Sequence, residues 1–155
     1  MSRSARRLLA AAGVFTLQWL IVGRLRIYGS YPDAVLLFLC WYALREGRRR
    51  GTLTGAGLGL AMDVAYGTWG IQMFVKTLIG FLVGRFAVEE HTPLIIRPRQ
   101  ALLGSLVVAL LHNGLLVALV ALQTQATTGV LLYGLWLGSA LYTAVVGGIA
   151  TLFAQ

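Results

Sequence analysis

Polar side chains lie inside otherwise apolar stretches of this sequence, where they could either bind a ligand or ion or hold helices together. Two of them, Asp63 and Lys76, carry opposite charges and could form a pair. The others share a predicted position in the middle to outer half of a helical bundle: Gln18, Asp33, Gln72, His112 and Asn113. Ionisable groups inside membranes commonly mark pathways or pockets, which favours a ligand site. Buried polar groups need hydrogen-bonded partners in any case, so a structural role is the preferred interpretation.

The sequence has no recognisable set of catalytic or metal-binding residues. His112 has no Cys, Asp or second His at ligand spacing beside it, so we predict no metal site. Glu89, Glu90 and His91 are adjacent, but a solvated charge run is the ordinary explanation for such residues in a basic loop. We therefore predict a protein that is not an enzyme and carries no cofactor.

Glycines at four-residue intervals form two stripes, one leading up to Asp63 and one following Lys76. The stripes comprise Gly51, Gly55 and Gly59 on one segment and Gly80 and Gly84 on the other. Residues four apart share a helix face, and small residues let helices approach closely in lipid. An antiparallel pair that sets Gly59 near Gly80 would bring the two charges together. We therefore predict helix packing along both stripes and a structural ion pair between Asp63 and Lys76.

The composition is that of a membrane protein. Of the 155 residues, 58% are hydrophobic and 12% are charged, which is about half the charged fraction of a soluble domain. The net charge of +8 comes from short basic clusters between apolar runs. That pattern is typical of cytoplasmic membrane loops and argues against nucleic-acid binding. A single membrane domain covering residues 1–155, in contact with the lipid bilayer, is the simplest interpretation.

Six apolar segments predict an all-α bundle of six transmembrane helices. They cover about residues 8–22, 34–44, 53–66, 71–88, 101–122 and 130–153. The second is barely half of the ~20 residues that a perpendicular span needs, although Pro32 and Asp33 suit the start of a helix. With six crossings, ten arginines fall on one side and only Arg24 and Arg26 on the other. This asymmetry places both termini in the cytoplasm.

Several short motifs follow one another along the chain. Tyr31-Pro32-Asp33 opens the second segment, a basic turn follows at 45–51, and a Gly-rich segment begins at Gly55 and ends in Asp63. A second turn, at 67–70, leads into the fourth segment. The order and spacing of these motifs, over essentially the whole chain, resemble the MreD family of rod shape-determining proteins.

This resemblance implies a multi-pass protein of the bacterial inner membrane without known catalytic activity. The implied direct partner is the single-pass protein MreC. The implied indirect partners are the cytoskeletal MreB, the glycosyltransferase RodA and a class B penicillin-binding protein, all in lateral peptidoglycan synthesis and rod cell shape. The family fold is similar to the substrate-binding subunits of energy-coupling-factor transporters. A vitamin transporter subunit is therefore the alternative function, although the Pro-Asp and Gly-rich motifs favour a scaffold.

Small residues outside the two stripes predict where the transmembrane helix of MreC would bind. Helices associate in lipid through close packing, so a binding groove should follow small residues that internal contacts do not use. Gly13 on the first segment, and Gly134 and Gly138 on the sixth, meet this condition in the sequence. We expect one of these surfaces to hold the MreC helix.

Overall fold

A computed structural model describes residues 3–24, 30–88, 97–124 and 130–153. Within these ranges the chain is helical and holds no β-strand, which confirms the predicted all-α class. The α-helices are α1 (Arg3–Leu20), α2 (Ala34–Tyr66), α3 (Ile71–Gly84), α4 (Pro98–Thr124) and α5 (Ser139–Phe153). A short 3-10 turn, Val22–Arg24, follows α1, and a π-helical segment, Val130–Gly138, precedes α5.

A sharp bend at Gly47 divides α2 into two arms, residues 34–46 and 48–66. The φ of 82° and ψ of 178° at Gly47 lie outside the helical region and suit a residue without a Cβ. Across the bend, a Cβ on Gly51 would lie 2.7 Å from the Cβ of Ala43. Eight residues of straight helix would separate these positions by about 12 Å, so the arms fold back on each other. The predicted helices at 34–44 and 53–66 correspond to these arms, which extend closer to the bend than predicted.

Helix α1 runs antiparallel to the first arm of α2. At one end Arg7 is bonded to Glu46, and at the other Gln18 is bonded to the backbone of Ala34. This pairing covers nearly the whole length of both helical segments. It places the arginine-rich start of α1 beside the bend in α2.

Helix α3 packs antiparallel against the second arm of α2 through the glycine stripes, but the predicted register is wrong. A Cβ on Gly59 would lie 2.6 Å from the carbonyl oxygen of Gln72, and one on Gly51 would lie 2.7 Å from that of Gly80. We predicted Gly59 opposite Gly80, so the observed pairing is displaced by eight residues, about two helical turns. All the stripe glycines still lie at this contact, including Gly55 and Gly84.

Helices α4 and α5 form a second antiparallel pair. Gly148 of α5 lies against Leu102 near the start of α4, and Gly114 further along α4 lies against the Trp136 indole. The indole N–H of Trp136 also donates to the Leu110 carbonyl oxygen at 3.0 Å. Thr143 of α5 contacts Asp33 and Gly147 contacts Leu37, so α5 runs parallel to the first arm of α2. Together with the antiparallel pairs, this makes the described helical segments alternate in direction, as a six-segment bundle requires.

The outside of the bundle is apolar. Large hydrophobic side chains such as Leu53, Val107 and Val145 are about half exposed or more, and such a surface suits lipid better than water. Of the described helices, Pro98–Gln123 alone has the length and hydropathy of a membrane span by itself, while Ile71–Gly84 and Trp136–Thr151 are shorter apolar helices. Helix α3 is thus shorter than the predicted segment at 71–88.

Candidate functional site

The ammonium group of Lys76 lies at the centre of a polar cluster between α2, α3 and α4. Its Nζ donates to Asp33 Oδ2 at 2.7 Å, to Gln72 Oε1 at 3.0 Å and to His112 Nε2 at 3.1 Å. The Lys76 side chain is completely buried. Because an ammonium group has three N–H donors, these acceptors use all of them. The lysine therefore has no donor left for a ligand.

The protonation of the His112 ring follows from its neighbours. Lysine can only donate, so Nε2 of His112 accepts from Lys76 and the ring proton lies on Nδ1. Nδ1 is 2.9 Å from Asn113 Oδ1 and donates to it. Both ring nitrogens thus have protein partners, and a metal ion would have to displace one of them.

Asp33 connects this cluster to the start of α2 and to α5. One carboxylate oxygen accepts the N–H of Leu36 at 2.7 Å and so caps the helix. The other oxygen accepts from Lys76. The backbone N–H of Asp33 donates to the Thr143 hydroxyl at 3.0 Å. One residue therefore fixes the relative positions of three helices.

Gln18 is buried on α1 and holds the turn that leads into α2. Its amide nitrogen donates to the Pro32 carbonyl at 3.0 Å, and its amide oxygen accepts from the Ala34 N–H at 2.8 Å. The structure thus brings together the whole predicted polar set, which is Gln18, Asp33, Gln72, His112 and Asn113. Asp33, Gln72 and His112 bind Lys76 directly, Asn113 binds His112, and Gln18 binds the backbone on either side of Asp33.

The predicted ion pair between Asp63 and Lys76 does not form, and Asp63 caps α3 instead. Its two carboxylate oxygens accept the backbone N–H groups of Gln72 at 3.0 Å and Met73 at 2.8 Å. The Thr68 hydroxyl donates to the same carboxylate at 2.5 Å. N–H groups in the first turn of a helix have no partner within it, and the helix dipole favours a negative charge there. This capping explains the observed register of α2 against α3.

Sequence reasoning missed this arrangement because it paired the charges of two consecutive segments. The carboxylate that binds Lys76 comes from Asp33, which is 43 positions away in the chain. One local signal was available. Helix α3 begins after Gly70, which has no side chain to cap it, so its first N–H groups needed an acceptor from elsewhere. Asp63 was the nearest carboxylate.

The polar cluster is closely packed. Among the described residues, every buried side-chain nitrogen and oxygen has a hydrogen-bond partner. The cavity beside the cluster has a volume of about 10 Å³ and is lined by Tyr31, Asp33, His112, Asn113, Leu116 and Ser139. That is room for about one water molecule, whereas pockets for organic ligands usually measure about 300–1,000 Å³. The geometry is that of a structural polar core.

Two of the three predicted groove glycines, Gly134 and Gly138, already contact another residue within the bundle. The Ser30 hydroxyl donates to the Gly134 carbonyl at 2.9 Å, and the same hydroxyl occupies the position that a Cβ on Gly138 would need. These contacts tie the segment before α2 to the start of the last helix. Gly13, in contrast, has no other heavy atom within 4 Å of its Cβ position. Of the predicted groove positions, the structure leaves Gly13 open.

An apolar exterior around a satisfied polar core is typical of a helical membrane protein. The family model described as rod shape-determining protein MreD matches residues 8–153 of this chain. The chain therefore belongs to the MreD family, a family of membrane proteins that determine rod shape and are not known as enzymes. No curated protein and no solved structure matches the chain.

Proposed function

We propose that this MreD-family protein is a non-catalytic scaffold that binds the transmembrane helix of MreC. By holding MreC in the inner membrane, it supports lateral peptidoglycan synthesis, in which MreB, RodA and a class B penicillin-binding protein take part without contacting it directly. The observation that carries the proposal is the packed interior. The buried polar groups of the described residues are all hydrogen-bonded, and the cavity beside the cluster measures only about 10 Å³. This cluster therefore has no room for an organic ligand, and we assign MreC binding to the outer, lipid-facing surface.

The same observation argues against the alternative of a vitamin-binding transporter subunit. Such a subunit needs an enclosed site of ligand size with polar groups directed into it. Lys76 has all three N–H donors bonded within the protein, and both ring nitrogens of His112 have partners. Opening a pocket here would break an ion pair that is buried on both sides, at considerable cost.

The surface around Gly13 is the best supported place for the MreC helix. Leu9 and Leu17 lie one turn on either side of Gly13 and are exposed, at 61% and 45%. Ala11 and Val14 of the same helix pack against the protein core, so the Gly13 face points away from it. A glycine between two exposed leucines forms a shallow depression in which another helix can approach closely.

The alternating helix directions support a six-pass topology with both termini in the cytoplasm. Arg7 at the start of α1 lies beside Glu46 and Arg50 at the bend of α2, so basic residues from two separate segments meet at one end of the bundle. Arginine-rich ends of membrane helices stay on the cytoplasmic side. On this topology the exposed Gly13 face lies within the bilayer, where it can meet a transmembrane helix.

Depletion of the protein in growing cells tests the proposal against its alternative. A scaffold for lateral wall synthesis predicts that depleted cells lose rod shape in rich medium, and that MreC co-purifies with the tagged protein from solubilised membranes. A vitamin transporter subunit predicts normal shape and a growth defect that the vitamin relieves. Normal shape together with the absence of MreC from the purified protein would refute the scaffold.

A further inference from the structure

The turn between the second arm of α2 and α3 holds a tryptophan that the protein does not bury. Trp69 lies in this turn, at the end of the bundle away from the arginines, and is 88% exposed. Its φ of 41° lies in the left-handed region, which is costly for a bulky residue. Tryptophan is enriched at the boundary between lipid and water. Trp69 therefore marks the level of that boundary at this end of the bundle.

At the other end, two arginines bend back towards the middle of the bundle. The Arg48 backbone lies beside Gly84, but its guanidinium carbon lies 5.3 Å from the ring centroid of Phe81, which is closer to the start of α3. On the first arm of α2, the guanidinium carbon of Arg45 lies 5.6 Å from the ring centroid of Trp41, one turn earlier. Both arginines are exposed. These cation–π contacts hold the two charges at the level of the rings.

The bent-back arginines are the opposite of snorkelling side chains. Where a bilayer is too thick for a helix, flanking arginines extend outward so that their charge reaches water. Here the guanidinium groups lie about one turn inside the level of their own backbone. An exposed cation is stable at that depth only where water and lipid headgroups reach it. The membrane surface therefore comes in to the level of Phe81 and Trp41.

The apolar lengths between these two boundaries are short in α2 and α3. Helix α3 has 14 residues, or about 21 Å. The apolar parts of the two arms of α2, residues 34–44 and 51–66, give about 16 Å and about 24 Å. The hydrocarbon core of a typical bilayer is about 30 Å thick, and tilting a helix shortens its span further. The span Pro98–Gln123 of α4, in contrast, has 26 residues, or about 39 Å.

We infer that the half of the bundle made of α2 and α3 binds phospholipids with short acyl chains, so that the bilayer is several ångströms thinner there. A hydrophobic stretch shorter than the bilayer is accommodated by thinning, at a cost that grows with each ångström of mismatch. Short chains remove that cost and long chains increase it. Helix α4 fits the same thin bilayer by tilting. The lipids at this surface are therefore selected by chain length and not by headgroup charge.

Reconstitution into bilayers of different thickness tests this inference. The probes are dimyristoleoyl-, dioleoyl- and dierucoylphosphatidylcholine, which share a headgroup and differ in chain length. We expect the protein to have its highest melting temperature in the dimyristoleoyl lipid and its lowest in the dierucoyl lipid. Quenching of tryptophan fluorescence by brominated dioleoylphosphatidylcholine reports lipid contact directly, because Trp69 and Trp41 are 88% and 45% exposed. The dimyristoleoyl lipid should displace this quencher several-fold better than the dierucoyl lipid does.

The variant R45L/R48L tests the cause of the preference. Leucines at these positions remove the bent-back charges and lengthen the apolar part of α2, so the dioleoyl lipid should become the best match. The matched control is R97L/R99L, which removes two exposed arginines at the start of α4. The apolar length of α4 already exceeds the bilayer thickness, so this control should keep the preference for the dimyristoleoyl lipid.

The inference is overturned if the wild-type protein is most stable in the dioleoyl or dierucoyl lipid, or if these lipids displace the quencher as well as the dimyristoleoyl lipid does. An unchanged preference in R45L/R48L, or an equal shift in R97L/R99L, would also contradict it. If R45L/R48L does not fold, R45L alone decides the role of the charges, because Arg45 and Trp41 are both exposed.

Discussion

Lys76 and Asp33, from α3 and from the start of α2, form an ion pair of 2.7 Å in the interior of the bundle. Lys76 is fully buried and the Asp33 side chain is 8% exposed. His112 and Gln72 complete the surroundings of the ammonium group. A charge in this position is stable only with its partners, so the pair fixes α3 against the first arm of α2.

The first prediction concerns this pair. Asp33→Asn and Lys76→Met should each destabilise the protein, by about 3–5 kcal/mol, because each leaves a buried charge without its partner. The double variant should recover a large part of the loss. Thermal unfolding in detergent, followed by size-exclusion chromatography, measures all four members of the cycle. Purely additive losses would show that the two side chains are not coupled.

A second cycle serves as the control. Asp63→Asn combined with Lys76→Met should give losses that are closer to additive, because Asp63 bonds the backbone of Gln72 and Met73 and not the lysine. Recovery in this double variant, and not in the one with Asp33, would mean that Lys76 pairs with Asp63.

The second prediction concerns the cap of α3. Asp63→Ala should destabilise the protein by about 0.5–2 kcal/mol, because the first N–H groups of α3 lose their acceptors. Asp63→Asn keeps one acceptor oxygen, so its loss should be smaller. Hydrogen exchange at the amides of Gln72 and Met73 provides the direct readout, with faster exchange expected in Asp63→Ala. Unchanged exchange at both amides would contradict the capping role.

The third prediction concerns the glycine stripes. Gly59→Ala and Gly80→Ala should each lower the melting temperature, since the added Cβ would meet the backbone of the facing helix well inside van der Waals distance. Overpacking of this kind typically costs about 1–3 kcal/mol. The larger changes Gly59→Leu and Gly80→Leu should prevent normal accumulation. Gly57→Ala is the matched control, because the same helix leaves open space there and alanine favours helix. Equal stability of Gly59→Ala and Gly57→Ala would contradict the close contact.

Local sequence patterns predicted the helical class, the two glycine stripes and the membership of the polar set. Four-residue spacing and apolar runs are properties of a single segment, so they can be read without the fold. The register of α2 against α3 could not be read in this way, because several registers bring glycines together. Two contacts select the observed register: Asp63 of α2 caps the first N–H groups of α3, and Asp33 pairs with Lys76. The second contact joins distant parts of the chain.

The bend at Gly47 and the interior position of Gly138 were not predicted for a related reason. A glycine in a basic turn fits a loop between two helices as well as it fits a bend within one. The contact of Gly138 with Ser30 spans more than a hundred residues, and a small residue in a sequence does not show which surface it faces.

The fourth prediction concerns topology. Reporter fusions after residue 155 and within 45–51 should both report the cytoplasm, and fusions within 123–129 should report the periplasm. The reasons are the alternation of helix directions and the meeting of Arg7 and Arg50 at one end of the bundle. Residues 125–129 lie outside the described part of the chain, so fusions there test the prediction independently. A periplasmic C-terminus would contradict six crossings.

The central claim, that this protein is a scaffold for the MreC helix, is tested most directly by capture of MreC with matched glycine variants. Gly13, Gly57 and Gly104 all lie in helices and all have open space at the Cβ position, so leucine at each should leave the fold intact. We predict that Gly13→Leu reduces MreC co-purification from solubilised membranes at least several-fold, while Gly57→Leu and Gly104→Leu retain it. Failure of wild-type protein to capture MreC would contradict the scaffold, and full capture by Gly13→Leu would contradict the proposed surface.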